Sequence, residues 1–382
     1  MRILFTAGGT GGHVFPIIAI KREIDRLVAT LKENNPNIFD NELFEKEYFF
    51  VGGMIGSKKE FLEKENIKTK EIIAPKWRRY FDFKNFIDIL KAPIALIHAL
   101  FLVWQIMPDV IFSKGGPGSF FIVIAGWFYG IPVILHESDS VLSKTNKLSL
   151  PFSKKIALSF EETQNFIKNK NKILITGHPV RQFLMNGSRE RAKEDFDLDG
   201  KREIILVMGG SQGAQQINYV IIDAIFKYLN EYEIIHISGE NNFQELYLLT
   251  KALLDEELQK YYHLFPMLEE EKLKNAYAAA DIIVSRAGAG ALFEIAAVKK
   301  PSVIIPLEGS ASDHQTLNAQ IFGEVGCGVV IEKQNATPNV VFNTIKDILE
   351  DKERQKQFIE NCKKFYKSDA GIKIAKEIIK FA

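Results

Sequence analysis

The sequence predicts an α/β chain of two doubly wound, Rossmann-like domains facing an interdomain cleft. Three observations carry this. Short β-rich runs alternate with helical patterns along the 382 residues, as expected for parallel sheets covered by helices. The alternation comes in two series of similar size, divided near Gly177-His178-Pro179. Each series has two glycine clusters between a strand and a helical pattern, where doubly wound sheets bind ligands beyond the carboxyl ends of their strands.

The first expected strand, 3–6, leads into Gly8-Gly9-Thr10-Gly11-Gly12-His13 and an amphipathic helix over 17–27. A polar, Asn-rich excursion over 31–47 separates it from strand 48–51. Strands 110–113, 133–136, 155–158 and 173–176 complete the first series. The second series is 204–208, 234–238, 282–285, 303–306 and 329–331. The expected domains are 1–178 and 179–365, with a C-terminal helix within 366–382 joining the first.

Bulk properties narrow the function. A hydrophobic content of 46% supports sizeable cores, and a net charge of +1 gives no global field for nucleic acid. Cys327 and Cys362 form neither a disulfide framework nor a metal cluster and point to a reducing compartment. No signal peptide is visible. The stretch 92–107 is short of the roughly 20 apolar residues of a spanning helix. The uncharged stretch 115–135 contains Gly115-Gly116-Pro117-Gly118 and Gly130-Ile131-Pro132 and reads as loop, buried helix, turn and strand.

The first loop is neither a dinucleotide fingerprint, since Val14 occupies the third glycine position, nor a Walker A loop, since no Gly-Lys-Ser/Thr follows. Its glycines allow close backbone approach to a ligand. The helix start offers N–H groups to negative charge. His13 adds a titratable imidazole suited to proton transfer. Two more clusters, Gly209-Gly210-Ser211-Gln212-Gly213-Ala214 and Arg286-Ala287-Gly288-Ala289-Gly290-Ala291, are suited to presenting backbone N–H groups to phosphate. No Asp-x-Asp pair stands in a metal-binding context, so neither a metal nor a cofactor is expected.

GGTGGHVFP, SKGGPGS, HESDS…TN, TGHPVR, GGSQGA, SRAGAG…FE and DHQTLNA occur in this order. Together they resemble the MurG family, GT-B N-acetylglucosaminyltransferases of peptidoglycan synthesis, over nearly the whole chain. The resemblance implies inverting transfer of N-acetylglucosamine from UDP-N-acetylglucosamine to the 4-hydroxyl of the muramoyl sugar of lipid I, giving lipid II. It implies that Thr10, Gly11, Gly12 and Asp139 bind substrate, with His13 or Glu137 taking the acceptor proton. On the donor side it implies Arg181, Ser211, Gln212, Gly213, Gly288, Ala289 and Gly290 near the diphosphate. Glu294 is implied on the ribose, Met267 or Leu268 on the uracil, and His314 and Gln315 on the sugar. Without the resemblance, Arg181 reads first as a linker salt bridge and Glu294 as an ordinary first-turn glutamate. Asp139 stands where the family usually has Asn, and Ala291 where it often has Thr. Another GT-B nucleotide-sugar enzyme, such as a glycolipid synthase or UDP-sugar epimerase, is the alternative reading.

A lipid-linked acceptor implies an anionic membrane surface as partner, on the cytoplasmic side of the cell membrane, with other cell-wall synthesis proteins as candidate partners. Trp77, Arg78, Arg79, Phe81, Lys84 and Phe86 interleave aromatic with basic residues, a composition suited to anionic lipid. The apolar segment 87–107 follows, with part of one face expected to be exposed, and Trp127 is a further candidate.

Overall fold

The computed structural model describes residues 1–8, 11–34, 45–53, 56, 59–73, 84–116, 118–209, 214–307 and 313–382. The chain divides into two compact units, Met1–Pro179 with Ser368–Ala382, and Val180–Lys367.

The first unit holds a seven-stranded sheet. Its strands are β1 (Arg2–Ala7), β2 (Glu47–Gly52), β3 (Ile67–Glu71), β4 (Val110–Ser113), β5 (Val133–Glu137), β6 (Lys155–Leu158) and β7 (Ile173–Ile175). Their order is β3-β2-β1-β4-β5-β6-β7, and every pairing is parallel. Successive side chains of a strand point to opposite faces, and the core is sorted accordingly. Ile3 and Phe5 of β1 and Val110 and Phe112 of β4 pack with helix Gly11–Asn34 on one face. Leu4 and Ile111 pack on the other, with helices Lys84–Ile106 and Ser119–Phe128. The last helix, Ala370–Phe381, adds Ile374, Ala375 and Ile378 to the first of these cores.

The second unit holds a six-stranded sheet of β8 (Ile204–Met208), β9 (Glu233–Ile237), β10 (Tyr262–Phe265), β11 (Ile282–Ser285), β12 (Ser302–Ile304) and β13 (Val329–Val330). Its order is β10-β9-β8-β11-β12-β13, again with every pairing parallel. The predicted architecture, two parallel-sheet α/β domains, is the observed one.

Every strand read from the sequence is present, with ends displaced by at most two residues. Two strands were missing from that reading, β3 and β10. Both are outermost strands. The β3 sequence Ile-Lys-Thr-Lys-Glu has only its first residue buried. It is short and charged, as suits a sheet edge, and lacks the apolar run that marks a central strand. Within the segment 115–135, helix Ser119–Phe128 is followed by a turn at Gly130 (φ +74°) and then β5. Among the described residues, no helix is long and apolar enough to cross a membrane.

Ile374 is fully buried. Ile374→Ala is expected to cost the first unit about 2–5 kcal/mol, the usual range for a truncated core side chain. The check is a lower urea midpoint in the transition that reports on this unit.

Candidate active site

In the first unit, the chain runs outward from β1 through β2 to β3 and returns on the other side of β1 as β4. In such sheets the usual ligand position lies at this reversal, here at the carboxyl ends of β1 and β4. Its seam is made by backbone. Lys114 N donates to Thr6 O at 2.9 Å, and Gly8 N donates to Gly115 O at 3.0 Å. Gly115 and Gly116 have φ of +82° and +102°, a region that L side chains rarely adopt. A β-carbon on Gly116 would also lie 2.7 Å from Gly8 N. The glycines of SKGGPGS therefore serve this close approach.

Gly11 and Gly12 open helix Gly11–Asn34, and a β-carbon on Gly12 would meet no atom within 4 Å. His13 follows, half-buried, with its ring over Gly8: a β-carbon there would come within 3.0 Å of Nδ1. Burial and the Lys114 ammonium push His13 down to about 4, against the opposing pull of Asp139. The ring is therefore neutral at physiological pH and able to accept a proton.

Glu137 ends β5 and is buried. Its Oε1 accepts from the backbone N–H groups of Ser138 and Asp139 at 3.1 and 3.4 Å. Its Oε2 accepts from Ser143 N at 2.8 Å and Asn146 Nδ2 at 2.9 Å. Four donors match the roughly four lone-pair sites of a carboxylate. The side chain thereby anchors the turn that carries Asp139. Burial and Asp139 raise its pKa, opposed by the hydrogen bonds from Ser143 and Asn146. Asn146 sits in the HESDS…TN motif, but its grip on Glu137 has no sequence signal of its own.

The same edge holds a buried polar chain. Lys114 Nζ lies 3.1 Å from His136 Nδ1 and donates to Ser138 Oγ. His136 Nε2 lies 3.2 Å from Ser159 Oγ, which lies 3.1 Å from His178 Nδ1. Burial lowers Lys114 to about 7, against the pull of Asp139 and Glu137. Burial, with the Lys114 charge, holds His136 and His178 well below the ordinary imidazole value.

In the second unit, the order reverses between β8 and β11. Helix Ala289–Val298 follows β11, with Gly288 at its N-cap. Its first turn has no side-chain cap and no acidic residue. A β-carbon on Gly288 would meet nothing within 4 Å. Ala289 and Gly290 thus open a helix whose N-cap residue offers no side-chain cap, a suitable place for negative charge.

Glu294 lies on this helix. Its Oε1 accepts from Arg181 Nη2 at 3.0 Å, and its Oε2 accepts from Tyr277 Oη at 3.0 Å. Arg181 also donates to Glu270 at 3.3 Å and is 4% exposed. Arg181 thus stands in an ion-pair network with Glu294 and Glu270. Tyr277, fully buried, was not among the sequence candidates. It sits mid-helix in Glu270–Ala279 without a motif around it. Met267 follows the carboxyl end of β10, and Leu268 beside it is buried. His314 and Gln315 open helix His314–Glu324 after β12, and Gln315 Oε1 accepts from Leu307 N at 3.2 Å. Thr10, Ser211, Gln212 and Gly213 lie outside the described residues.

The comparisons with known proteins agree with this layout. Residues 3–158 match the glycosyltransferase family 28 N-terminal domain, and 204–373 its C-terminal domain. A Legionella pneumophila (strain Paris) protein is 35% identical over 379 residues, 99% of this chain and 96% of its own. A Clostridium botulinum (strain Alaska E43 / Type E3) protein is 38% identical over 352 residues, 92% and 90% of the two chains. Both are named UDP-N-acetylglucosamine--N-acetylmuramyl-(pentapeptide) pyrophosphoryl-undecaprenol N-acetylglucosamine transferase. The chain belongs to the MurG family. Among solved structures, Acinetobacter baumannii MurG has the same fold, with a TM-score of 0.70 at 23% identity over 99% of each chain. The Neisseria meningitidis UDP-GlcNAc 2-epimerase shares the fold at a TM-score of 0.67 and 14% identity, over 100% of each chain. The fold is thus GT-B, and the chain is a glycosyltransferase.

Removing one partner of a fully buried ion pair costs about 3–5 kcal/mol. Glu294 and Glu270 retain some solvent, so Arg181→Ala is expected to cost about 2–3 kcal/mol. Urea denaturation of the second unit's transition checks this.

Proposed function

We propose that the chain transfers N-acetylglucosamine from UDP-N-acetylglucosamine to the 4-hydroxyl of the muramoyl sugar of lipid I, giving lipid II. The observation that carries this reading is the 35–38% identity, over nine-tenths or more of the chain, to proteins bearing that transferase name. The acceptor oxygen attacks the anomeric carbon as the bond to the UDP oxygen breaks, with inversion. The acceptor proton passes to His13, which is neutral and lies over Gly8 at the carboxyl end of β1. UDP leaves carrying the negative charge.

Donor-side roles follow the second unit. The uncapped helix start at Gly288, Ala289 and Gly290 meets the diphosphate, joined by Ser211, Gln212 and Gly213. Preorganised N–H donors of this kind stabilise charge as it develops, so the reading assigns no essential metal and no cofactor. Glu294, oriented by Arg181 and Tyr277, accepts from the ribose hydroxyls. The backbone at Met267 holds the uracil, and His314 and Gln315 meet the sugar. Thr10, Gly11, Gly12 and Asp139 complete the acceptor side.

A lipid-linked acceptor calls for peripheral attachment to the cytoplasmic face of the cell membrane. Helix Lys84–Ile106 supports this. Its buried face carries Ala95, Ala99, Leu102, Val103 and Ile106. Ile94, Ile97, Phe101 and Trp104, spaced at helical intervals, are each 53–68% exposed. A contiguous exposed apolar stripe marks a contact surface. Trp127, at the end of helix Ser119–Phe128, is also exposed. Trp77, Arg78, Arg79 and Phe81 lie outside the described residues, as do the side chains of Lys84 and Phe86.

The decisive assay follows labelled N-acetylglucosamine from its UDP donor to a short-chain lipid I analogue, with UDP-glucose and UDP-galactose as controls. Donor binding without transfer would redirect the reading to another acceptor. In that assay His13→Ala is expected to lower turnover about 10²–10⁴-fold, the usual worth of a general base, with UDP affinity unchanged. Unchanged turnover would remove His13 as the base. Ile97→Asp with Phe101→Asp, or charge reversal at Arg78, Arg79 and Lys84, is expected to weaken sedimentation with anionic vesicles. Retained binding would reject the surface.

A further inference from the structure

The SKGGPGS motif holds one long polar side chain, Lys114, to which the substrate roles above give no task. Lys114 directly follows β4 and is 4% exposed. In the parallel pairing of β4 with β5, Ser113 stands beside Leu135. Lys114 is therefore level with His136, and Ser138 lies two residues further along. At ~3.3 Å per strand residue that is a step of about 7 Å, which a lysine stem can span. Lys114 Nζ does so: it donates to Ser138 Oγ and lies 3.1 Å from His136 Nδ1. On the opposite side, Lys114 N donates to Thr6 O at 2.9 Å, and the carbonyl of the next residue, Gly115, accepts from Gly8 N at 3.0 Å.

We propose that Lys114 is a positioning residue for the acceptor: by binding Ser138 it sets the turn Ser138–Asp139 in register with the end of β1 at Gly8. The proposal rests on the reading of these two places as the acceptor side. They follow β5 and β1, which are not paired with each other, since β4 lies between them. No hydrogen bond of the sheet itself can join their ends directly. Lys114, at the end of the strand between, reaches both. Its main chain belongs to the seam with β1, and its side chain crosses to the turn after β5.

The other holds on this turn act elsewhere. Glu137 Oε1 accepts from Ser138 N and Asp139 N at 3.1 and 3.4 Å. Thr163 Oγ1 donates to Asp139 O at 3.0 Å. These groups come from β5 itself and from beyond β6, so they fix the shape of the turn and not its distance from β1. The Lys114 side chain is itself well held. Its second partner, His136, is fully buried and stacks on Phe112 of β4 with ring centroids 6.0 Å apart. His136 Nε2 lies 3.2 Å from Ser159 Oγ, which lies 3.1 Å from His178 Nδ1. A side chain lodged between a packed ring and Ser138 has lost its rotamer freedom on folding. The turn is therefore arranged before the acceptor binds, and binding does not carry that cost. A methionine would fill the same volume but could donate nothing to Ser138.

Steady-state transfer to a short-chain lipid I analogue by the full chain tests this, with acceptor and donor varied in turn. Lys114→Met is expected to raise the acceptor KM about tenfold, the scale of one lost charge-assisted hydrogen bond. The kcat is expected to stay within about twofold, and the KM for UDP-N-acetylglucosamine to stay unchanged. Ser138→Ala cuts the same bond from its other end and is expected to reproduce the rise. The double variant is expected to rise no further than the larger single, because both substitutions remove one interaction. Lys114→Arg, which keeps a charged donor, is expected to recover most of the native KM. A native acceptor KM in folded Lys114→Met, rises that multiply in the double variant, or an equal rise in the donor KM overturns the proposal. Should Lys114→Met fail to fold, a native acceptor KM in Ser138→Ala overturns it alone. Asp139→Ala separates the two readings. A native acceptor KM there, with Lys114 and Ser138 still coupled, would uphold Lys114 as the positioning residue and remove instead the assignment of Asp139 to substrate.

Discussion

The two backbone hydrogen bonds between the ends of β1 and β4 are the constraint on which the first unit's site depends. They draw the Gly8 loop and the Gly115 loop into contact so close that a β-carbon at residue 116 has no room. Only after that approach does the His13 ring come to lie over Gly8. A change that widened the seam would move the His13 ring, the helix start and the buried Lys114 together. The seam exists because the chain leaves β1 on one side and returns on the other, which is a property of strand order.

The second unit repeats the strand plan but treats charge differently. In the first, a lysine is buried on neutral partners and shifted toward neutral pH. In the second, Arg181 is buried on two carboxylates, and Glu294 accepts on both oxygens, from Arg181 and Tyr277. Arginine keeps its charge in such a setting and presents a planar fork to carboxylates, which lysine cannot do.

Most of the fold was legible because central parallel strands are continuous apolar runs, and the turns after them are spelled in glycine. The strands that escaped, β3 and β10, pair on one side only and have no need of such runs. Candidate site residues were legible where they belong to glycine motifs. His13, Gly288 and Glu294 lie at the carboxyl edges of their sheets, where motif order puts them. What sequence could not reveal was the partner of each polar group. Nothing in Glu137 announces four donors converging on its carboxylate, and nothing in Tyr277 announces Glu294. Those facts arise from elements distant in sequence, brought together by packing. Lys114 stood inside a recognised motif and still went unassigned, because its meaning depends on His136 and Ser138, more than twenty residues away.

The discontinuity of the first unit has a consequence for how the protein is made. Ile374, Ala375 and Ile378 close the core beneath helix Gly11–Asn34, yet all of Val180–Lys367 is translated before them. At about 5–20 residues per second, the N-terminal sheet waits roughly 10–40 s with part of that apolar face open to solvent. The intervening unit is contiguous and meets no such delay. On the ribosome, the order of completion is therefore inverted: the unit that begins first is finished last.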